Sequence, residues 1–260
     1  MSFLRYDPVE MRGHDVHTVA INVWHVSDNE RHVLAKSSYG QFFSDDVYIV
    51  RWRYKLIPLM TDTNTVRKAE NGRDRVAYWI WQGMNASPNE KGISVLMTAF
   101  FDEEKGPHVS GLPCQSRLEM STRLSLQIHV IQEREEAAFL QLFDGTLTIH
   151  MGRRNHPKPK KSNWHLFAFL GEMDVETHWW ELNVHSAHLR SRTSFLQMNN
   201  IDSVMIVWHG CATTHEQRAL ANRSAMKLRD RSAKDAPGAI RLLTFVVMLS
   251  QLSGRISLSW

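Results

Sequence analysis

Between Gln41 and Glu104 the chain contains two apolar runs, Val47-Tyr48-Ile49-Val50-Arg51-Trp52 and Val76-Ala77-Tyr78-Trp79-Ile80-Trp81. Each run is apolar at odd and even positions alike, which is typical of a strand in the middle of a sheet covered on both faces. The segment Ser87-Pro88-Asn89-Glu90 then predicts a helix start, because a serine N-cap, a proline at the first helical position and a glutamate three residues on form a capping box. The unit is therefore predicted to be strand, strand, long helix.

A weaker copy of this unit follows in the second half of the chain. The run from Val204 to Gly210, which ends Trp208-His209-Gly210, is similar to the Trp81-Gln82-Gly83 ending of the first copy. Thr213-Thr214-His215-Glu216 is similar to the capping box, and Ala221, Ala225 and Leu228 recur at helical spacing. Two copies of one supersecondary unit predict two repeated domains.

Composition describes a globular chain and excludes several classes of function. The 260 residues are 43% hydrophobic and 22% charged, which is typical of folded proteins, and the net charge of +4 is too weak to indicate a nucleic-acid binder. Two cysteines without metal spacing predict free thiols in a reducing compartment. No signal peptide or membrane-length apolar run is visible, so we expect a cytoplasmic protein with no transmembrane segment.

The expected domain boundaries follow breaks in these patterns. They are a leader (1–17), a first repeat (18–154) with an insertion at about 109–128, a basic linker (155–163), a second repeat (164–235) and an atypical tail (236–260). Within the tail, Ile240 to Leu249 is apolar enough to add one strand. No short helix and no final strand matching Leu147 to His150 is visible there, so the second repeat is expected to be incomplete.

Several of these segments together resemble the gelsolin-homology repeat of the gelsolin/villin family. They are Tyr39-Gly40-Gln41-Phe42, Asp45 to Val50, Trp79 to Gly83, Glu90-Lys91-Gly92 and Phe139 to Gly145. Tyr6 to Met11 and Val23 to Val26 are similar to the supervillin branch of that family. The resemblance covers roughly Leu4 to Arg231 and implies an α+β (mixed α/β) fold of two repeats, each a central mixed sheet between a long and a short helix. It also implies actin as partner, with calcium and phosphoinositides as regulators.

The resemblance implies a calcium site in the first repeat. Its side-chain positions match Asp46 and Glu90, with the carbonyl of Asp45 nearby, and calcium takes such mixed carboxylate and carbonyl shells. The alternative is that Glu90 only closes the capping box and Asp46 is a solvated charge at a strand edge. In the second repeat Thr193 replaces the aspartate and only Glu216 remains, so no calcium is expected there.

The long helix after Glu90 is apolar on more than one face, whereas a surface helix usually has one apolar stripe. By position in the family, Leu96, Met97 and Phe100 would lie in or near the contact with actin. The alternative, favoured for most of them, is that they belong to the core.

The basic linker is a candidate for phosphoinositide headgroups, through Arg153, Arg154, Lys158, Lys160 and Lys161. A solvated hinge is the alternative for any single lysine. No nucleophile elbow, phosphate loop or paired carboxylates appear, so an enzyme is not expected.

Two functions remain open from the sequence. The first is an actin-filament-binding cytoskeletal protein that caps or severs filaments under calcium and phosphoinositide control. The second is a non-severing scaffold that links the actin cytoskeleton to the plasma membrane and binds membrane-cytoskeleton adaptor proteins.

Overall fold

The structure is a computed structural model, and it describes residues 14–58, 75–103, 126–155, 163–174, 176–199, 201–233 and 241–247. The chain divides into two compact units that interleave in sequence. Unit 1 takes residues 1–34 and 46–134, and unit 2 takes residues 35–45 and 135–260. Each unit has its own sheet.

Unit 1 is built on five strands in the order β2-β1-β4-β5-β6. Their bounds are β1 His14–Ser27, β2 Glu30–Val33, β4 Val47–Pro58, β5 Arg75–Gln82 and β6 Leu126–Ile131. The sheet is mixed, because β6 runs parallel to β5 whereas the other neighbours are antiparallel. The two apolar runs of the sequence form β4 and β5, and both lie in the interior of the sheet as predicted.

The long helix of unit 1, α1 (Pro88–Glu103), lies against one face of this sheet. Ile93, Val95 and Met97 pack on a core of six buried residues, namely Val26, Val47, Ile49, Tyr78, Ile80 and Ala86. The opposite face is aromatic, with Tyr48, Trp52, Trp79 and Trp81 all buried. This alternation follows from the pleat of the strands, whose successive side chains point to opposite faces.

Unit 2 contains a seven-stranded mixed sheet in the order β12-β11-β10-β8-β9-β7-β3. Their bounds are β3 Gln41–Phe43, β7 Leu147–His150, β8 Trp164–Leu170, β9 His178–Leu182, β10 Ser194–Asn199, β11 Val204–Gly210 and β12 Arg241–Val247. The pairs β3–β7, β7–β9 and β11–β12 are parallel, and the other neighbours are antiparallel.

Two α-helices accompany the second sheet, the short α2 (Ala137–Leu140) and the long α3 (His215–Ala233). The face of α3 predicted from Ala221, Ala225 and Leu228 is buried in a core with residues of β8, β9, β10 and β11. Trp179 is completely buried in that core, and its indole N–H donates to Ser224 Oγ on α3 at 2.7 Å. An α+β fold with two mixed sheets and two long helices is therefore confirmed.

Several boundaries in the structure differ from the predicted ones. Strand β1 begins at His14, inside the expected leader, and β6 begins at Leu126, inside the expected insertion, whose residues 109–125 lie outside the described part of the chain. Residues 35–45 and 135–154, which were assigned to the first repeat, belong to unit 2. Strand β12 extends the second sheet past residue 235, beside β11, where β6 stands beside β5 in unit 1.

In the described part of the chain no helix combines the length and the apolar character needed to cross a membrane.

Candidate functional site

Asp46 lies directly before β4 and is almost completely buried, with 2% of its surface exposed. Its Oδ2 accepts a hydrogen bond from the Tyr48 hydroxyl at 3.2 Å and lies 3.2 Å from His25 Nε2. The carbonyl of Asp46 accepts the N–H of Gly83 at 2.9 Å, which ties it to the turn after β5. The alternative of a solvated charge at a strand edge is therefore wrong for Asp46, because its carboxylate is buried among polar partners.

Glu90 closes the capping box predicted at the start of α1. The Ser87 hydroxyl donates to Glu90 Oε2 at 2.8 Å, the Ser87 N–H points at the same oxygen at 3.3 Å, and the Glu90 N–H donates back to Ser87 Oγ at 3.2 Å. Only 7% of the Glu90 surface is exposed. The capping role is confirmed, and it places a second buried carboxylate in unit 1.

Asp45 belongs to unit 2, unlike Asp46. Its N–H donates to the carbonyl of Gly152 at 3.0 Å, and its Oδ1 accepts the Ser44 hydroxyl at 2.8 Å. Ser44 Oγ in turn accepts the N–H of Gly152 at 3.0 Å, so the turn before β4 is held by the turn after β7. Asp45 is thus built into this turn.

The donor chemistry of Asp46 and Glu90 fits calcium. Both are buried carboxylates of the same unit, and calcium binds hard oxygen ligands of this kind. A buried carboxylate also needs compensation for its lost hydration, which a cation supplies. Among the residues that the structure describes, no cluster of three or more His, Cys, Asp or Glu suits a metal ion, so any ion here would depend on carbonyl or water oxygens as well.

The three residues predicted to contact actin all lie on α1. Met97 is half-buried and packs with Ile93 against the core of unit 1. The side chains of Leu96 and Phe100 lie outside the described residues. Ser94 is fully buried on the same helix, so the stripe that includes Ile93, Ser94 and Met97 faces the sheet.

The predicted phosphoinositide site is described only in part. Arg153 and Arg154 are half-buried, whereas Lys158, Lys160 and Lys161 lie outside the described residues. Arg154 donates to the carbonyl of Gln41, and its guanidinium lies 5.1 Å from the centre of the Phe43 ring. Arg154 therefore has a structural role at the end of β3.

Unit 2 contains a buried carboxylate that the sequence analysis missed. Glu181 on β9 lies 2.7 Å from His165 Nδ1 and 3.6 Å from His150 Nδ1, and it accepts the N–H of Met151 at 2.8 Å. With Glu181 on β9, His165 on β8 and His150 at the end of β7, the cluster joins three neighbouring strands. The residue types alone do not indicate this cluster, since the common partner of the two histidines depends on strand register.

A second polar group connects the sheet of unit 2 to α3. Ser194 and His209 lie opposite each other on β10 and β11, with Ser194 Oγ 2.8 Å from His209 Nδ1, and His209 Nε2 lies 3.2 Å from Asn222 Oδ1. The serine hydroxyl and the amide oxygen fit a neutral ring with its proton on Nε2. Burial lowers the pKa of His209, the hydrogen bond to Asn222 opposes this, and the nearby Arg218 lowers it further.

Two mixed sheets, each with a long helix packed on its central strands, define a protein made of two copies of one α+β unit. Together with the relatives below, this architecture assigns the chain: it belongs to the gelsolin/villin family. It is 30% identical to supervillin from Bos taurus over 233 residues, covering 87% of this chain and 10% of supervillin. It is 24% identical to gelsolin from Xenopus laevis over 218 residues, covering 83% of this chain and 44% of that gelsolin. The chain thus spans about a tenth of supervillin and less than half of the gelsolin.

No family model matches the chain. Among solved structures it is similar to the Thorarchaeota 2DGel3 protein in a complex with rabbit actin, with a TM-score of 0.32 and 15% identity over 87% of this chain and 92% of that chain.

Proposed function

We propose that this chain binds actin filaments as a cytoskeletal protein of the gelsolin/villin type. The observation that carries the proposal is the pair of gelsolin-like units in a chain 30% identical to supervillin. Relatives in this family are actin-binding structural proteins and not enzymes. We therefore assign the chain to the actin cytoskeleton of the cytoplasm, with actin as its partner.

The contact with actin is assigned to α1, through Leu96, Met97 and Phe100. Ile93 and Met97 define the stripe of α1 that packs on the sheet. Successive residues of a helix are rotated by about 100°, so Leu96 lies beside that stripe and not in its centre. An apolar residue at this position supports a second apolar surface on α1, which is what a helix shared between a sheet and a partner requires.

Cosedimentation with actin filaments tests this assignment. Leu96→Ser and Phe100→Ser are each expected to weaken binding about tenfold, since loss of an interface anchor costs about 1–2 kcal/mol. Met226→Ser, an exposed methionine on α3, is the matched control. If the two α1 variants lose thermal stability but bind filaments as the wild type does, these residues belong to the core and the assignment is wrong.

We further propose that calcium binds unit 1 through the carboxylates of Asp46 and Glu90. The ion would supply positive charge to two buried carboxylates and so couple filament capping or severing to calcium. Isothermal titration should give one site in the wild type and none in Asp46→Asn or Glu90→Gln. Glutamine can still close the capping box, so Glu90→Gln removes the charge and keeps the cap.

Phosphoinositides are proposed as a second regulator, bound by Arg153, Arg154, Lys158, Lys160 and Lys161. Each basic residue near an anionic membrane surface contributes about 1 kcal/mol. Alanine at the three lysines should reduce binding to vesicles that contain phosphatidylinositol bisphosphate and leave α1-dependent actin binding unchanged. Equal vesicle binding by wild type and triple variant would remove this proposal.

A second function is a non-severing scaffold that links actin to the plasma membrane and binds adaptor proteins there. The observations that favour it are the higher identity to supervillin, 30% against 24% for gelsolin, and Thr193 at the position that Asp46 occupies in the first repeat. Filament severing followed by fluorescence microscopy, with and without calcium, separates the two functions. A scaffold would bind filaments and leave their length unchanged.

A further inference from the structure

His25 is a buried imidazole whose position is fixed from both sides. It lies on β1 opposite Tyr48 on β4 and opposite His32 on β2, and only 2% of its surface is exposed. Its ring lies 5.2 Å from that of Tyr48, at an angle of 31°. The pairing of three strands fixes the backbone of His25, and its ring is buried against that of Tyr48.

The Nε2 atom of His25 lies 3.2 Å from Asp46 Oδ2. Within the described residues this buried nitrogen has the carboxylate contact and no formed hydrogen bond. A buried polar nitrogen without a hydrogen bond is costly, and its nearest compensation is the carboxylate. The Tyr48 hydroxyl donates to the same oxygen. One oxygen of Asp46 therefore has two protein groups directed at it.

We propose that His25, supported by Tyr48, sets the affinity of unit 1 for calcium by competing for the Asp46 carboxylate. This rests on the calcium site proposed above. An oxygen that already interacts with an imidazole and a phenol has less negative charge to offer an ion, so the ion must displace or weaken these contacts. The same contacts stabilise Asp46 when no calcium is bound. His25 thus lowers calcium affinity and reduces the dependence of the fold on calcium.

The test compares wild type, His25→Leu, Tyr48→Phe and His32→Gln in the full chain, at one fixed pH. Calcium chloride is titrated by calorimetry, and thermal unfolding is followed in a calcium-free buffer. His25→Leu and Tyr48→Phe should bind calcium about tenfold more tightly, because a contact to a charged group is lost in each. Both should unfold at a lower temperature without calcium. His32→Gln removes an exposed histidine beside His25 and should match the wild type in both measurements.

Any other result of these two measurements overturns the proposal. Equal or weaker calcium binding by His25→Leu and Tyr48→Phe, with a wild type that binds, removes the role of His25 and leaves the calcium site intact. No binding by any of the four proteins removes the calcium site as well. Tyr48→Phe is isosteric and leaves the buried ring in place. If His25→Leu does not fold, the calcium affinity of Tyr48→Phe tests the proposal. Actin cosedimentation of the same proteins in calcium-free buffer reports separately on the proposed function.

Discussion

Gly210, at the end of β11, has no room for a side chain. A Cβ at this position would lie 2.2 Å from the carbonyl oxygen of Ser191 and 2.6 Å from that of Arg190. Both are backbone atoms, and the Ser191 carbonyl accepts the N–H of Ala212 at 2.8 Å while the Gly210 N–H donates to Thr193 at 3.1 Å. Gly210→Ala therefore requires the backbone to move by about 1 Å, since carbon contacts shorter than about 3.5 Å are repulsive.

The magnitude of this effect follows from the contacts that must change. Overpacking costs about 1–3 kcal/mol, and two weakened hydrogen bonds cost about 0.5–1.5 kcal/mol each. We therefore expect Gly210→Ala to lower the free energy of unfolding by about 2–6 kcal/mol. Gly92→Ala is the matched control, because an added Cβ would meet no other element of the described residues within 4 Å and Gly92 stands inside α1, where alanine should stabilise by about 0.5–1 kcal/mol.

Urea-induced unfolding, followed by circular dichroism and tryptophan fluorescence, measures both substitutions. A change in the free energy of unfolding of less than about 0.5 kcal/mol for Gly210→Ala, the size of an ordinary surface substitution, would contradict this prediction.

Three further predictions concern polar groups. The pKa of His209 is lower in the folded than in the unfolded chain, so on acidification the unfolded chain takes up the proton first. The contribution of His209 to the free energy of unfolding should therefore be fully present above about pH 6.5. Below that pH it should fall by at most about 1.4 kcal/mol per pH unit. His209→Gln should have a flatter dependence in unfolding curves between pH 5 and 8, and an unchanged slope would contradict this. Ser87→Ala should cost about 1 kcal/mol in thermal unfolding, whereas Glu90→Gln keeps the capping box and should cost less in calcium-free buffer; equal losses would exclude the cap as the cause. Ser224→Ala leaves the buried Trp179 N–H without its acceptor and should cost about 1–3 kcal/mol by denaturant titration, and Ser224→Thr, which keeps a hydroxyl, serves as its comparison.

Features that depend on neighbouring residues could be read from the sequence. The capping box of Ser87 and Glu90 and the buried strands β4 and β5 lie where they were predicted, because their signals are local. The prediction of the second capping box was only partly right. Helix α3 begins at His215, and Thr214 exchanges hydrogen bonds with Gln217 in place of Glu216, since the capping partner must be three residues after the cap.

Features that depend on pairing between distant strands could not be read from it. Strand β9 was not predicted, because the five residues from His178 to Leu182 include two polar ones and two tryptophans and so form no apolar run. In the structure these residues alternate between half-buried and buried positions. The contact of His25 with Asp46 and the cluster around Glu181 were missed for the same reason. Each is created by strand register, and the residue types alone do not fix which strands are neighbours.

The sheet of unit 2 draws strands from residues 41–43 and from residues 241–247, almost the whole length of the chain. During synthesis β3 leaves the ribosome roughly 200 residues before β12, so this sheet cannot close until residues 241–247 have been synthesised. The described strands of unit 1 are all present by Ile131, so unit 1 is free to form earlier. A protease cut in the linker, at residues 155–163, would not release two separate repeats. It would leave β3 and β7 on one fragment and their neighbour β9 on the other, so that the two halves are expected to elute together until they are denatured.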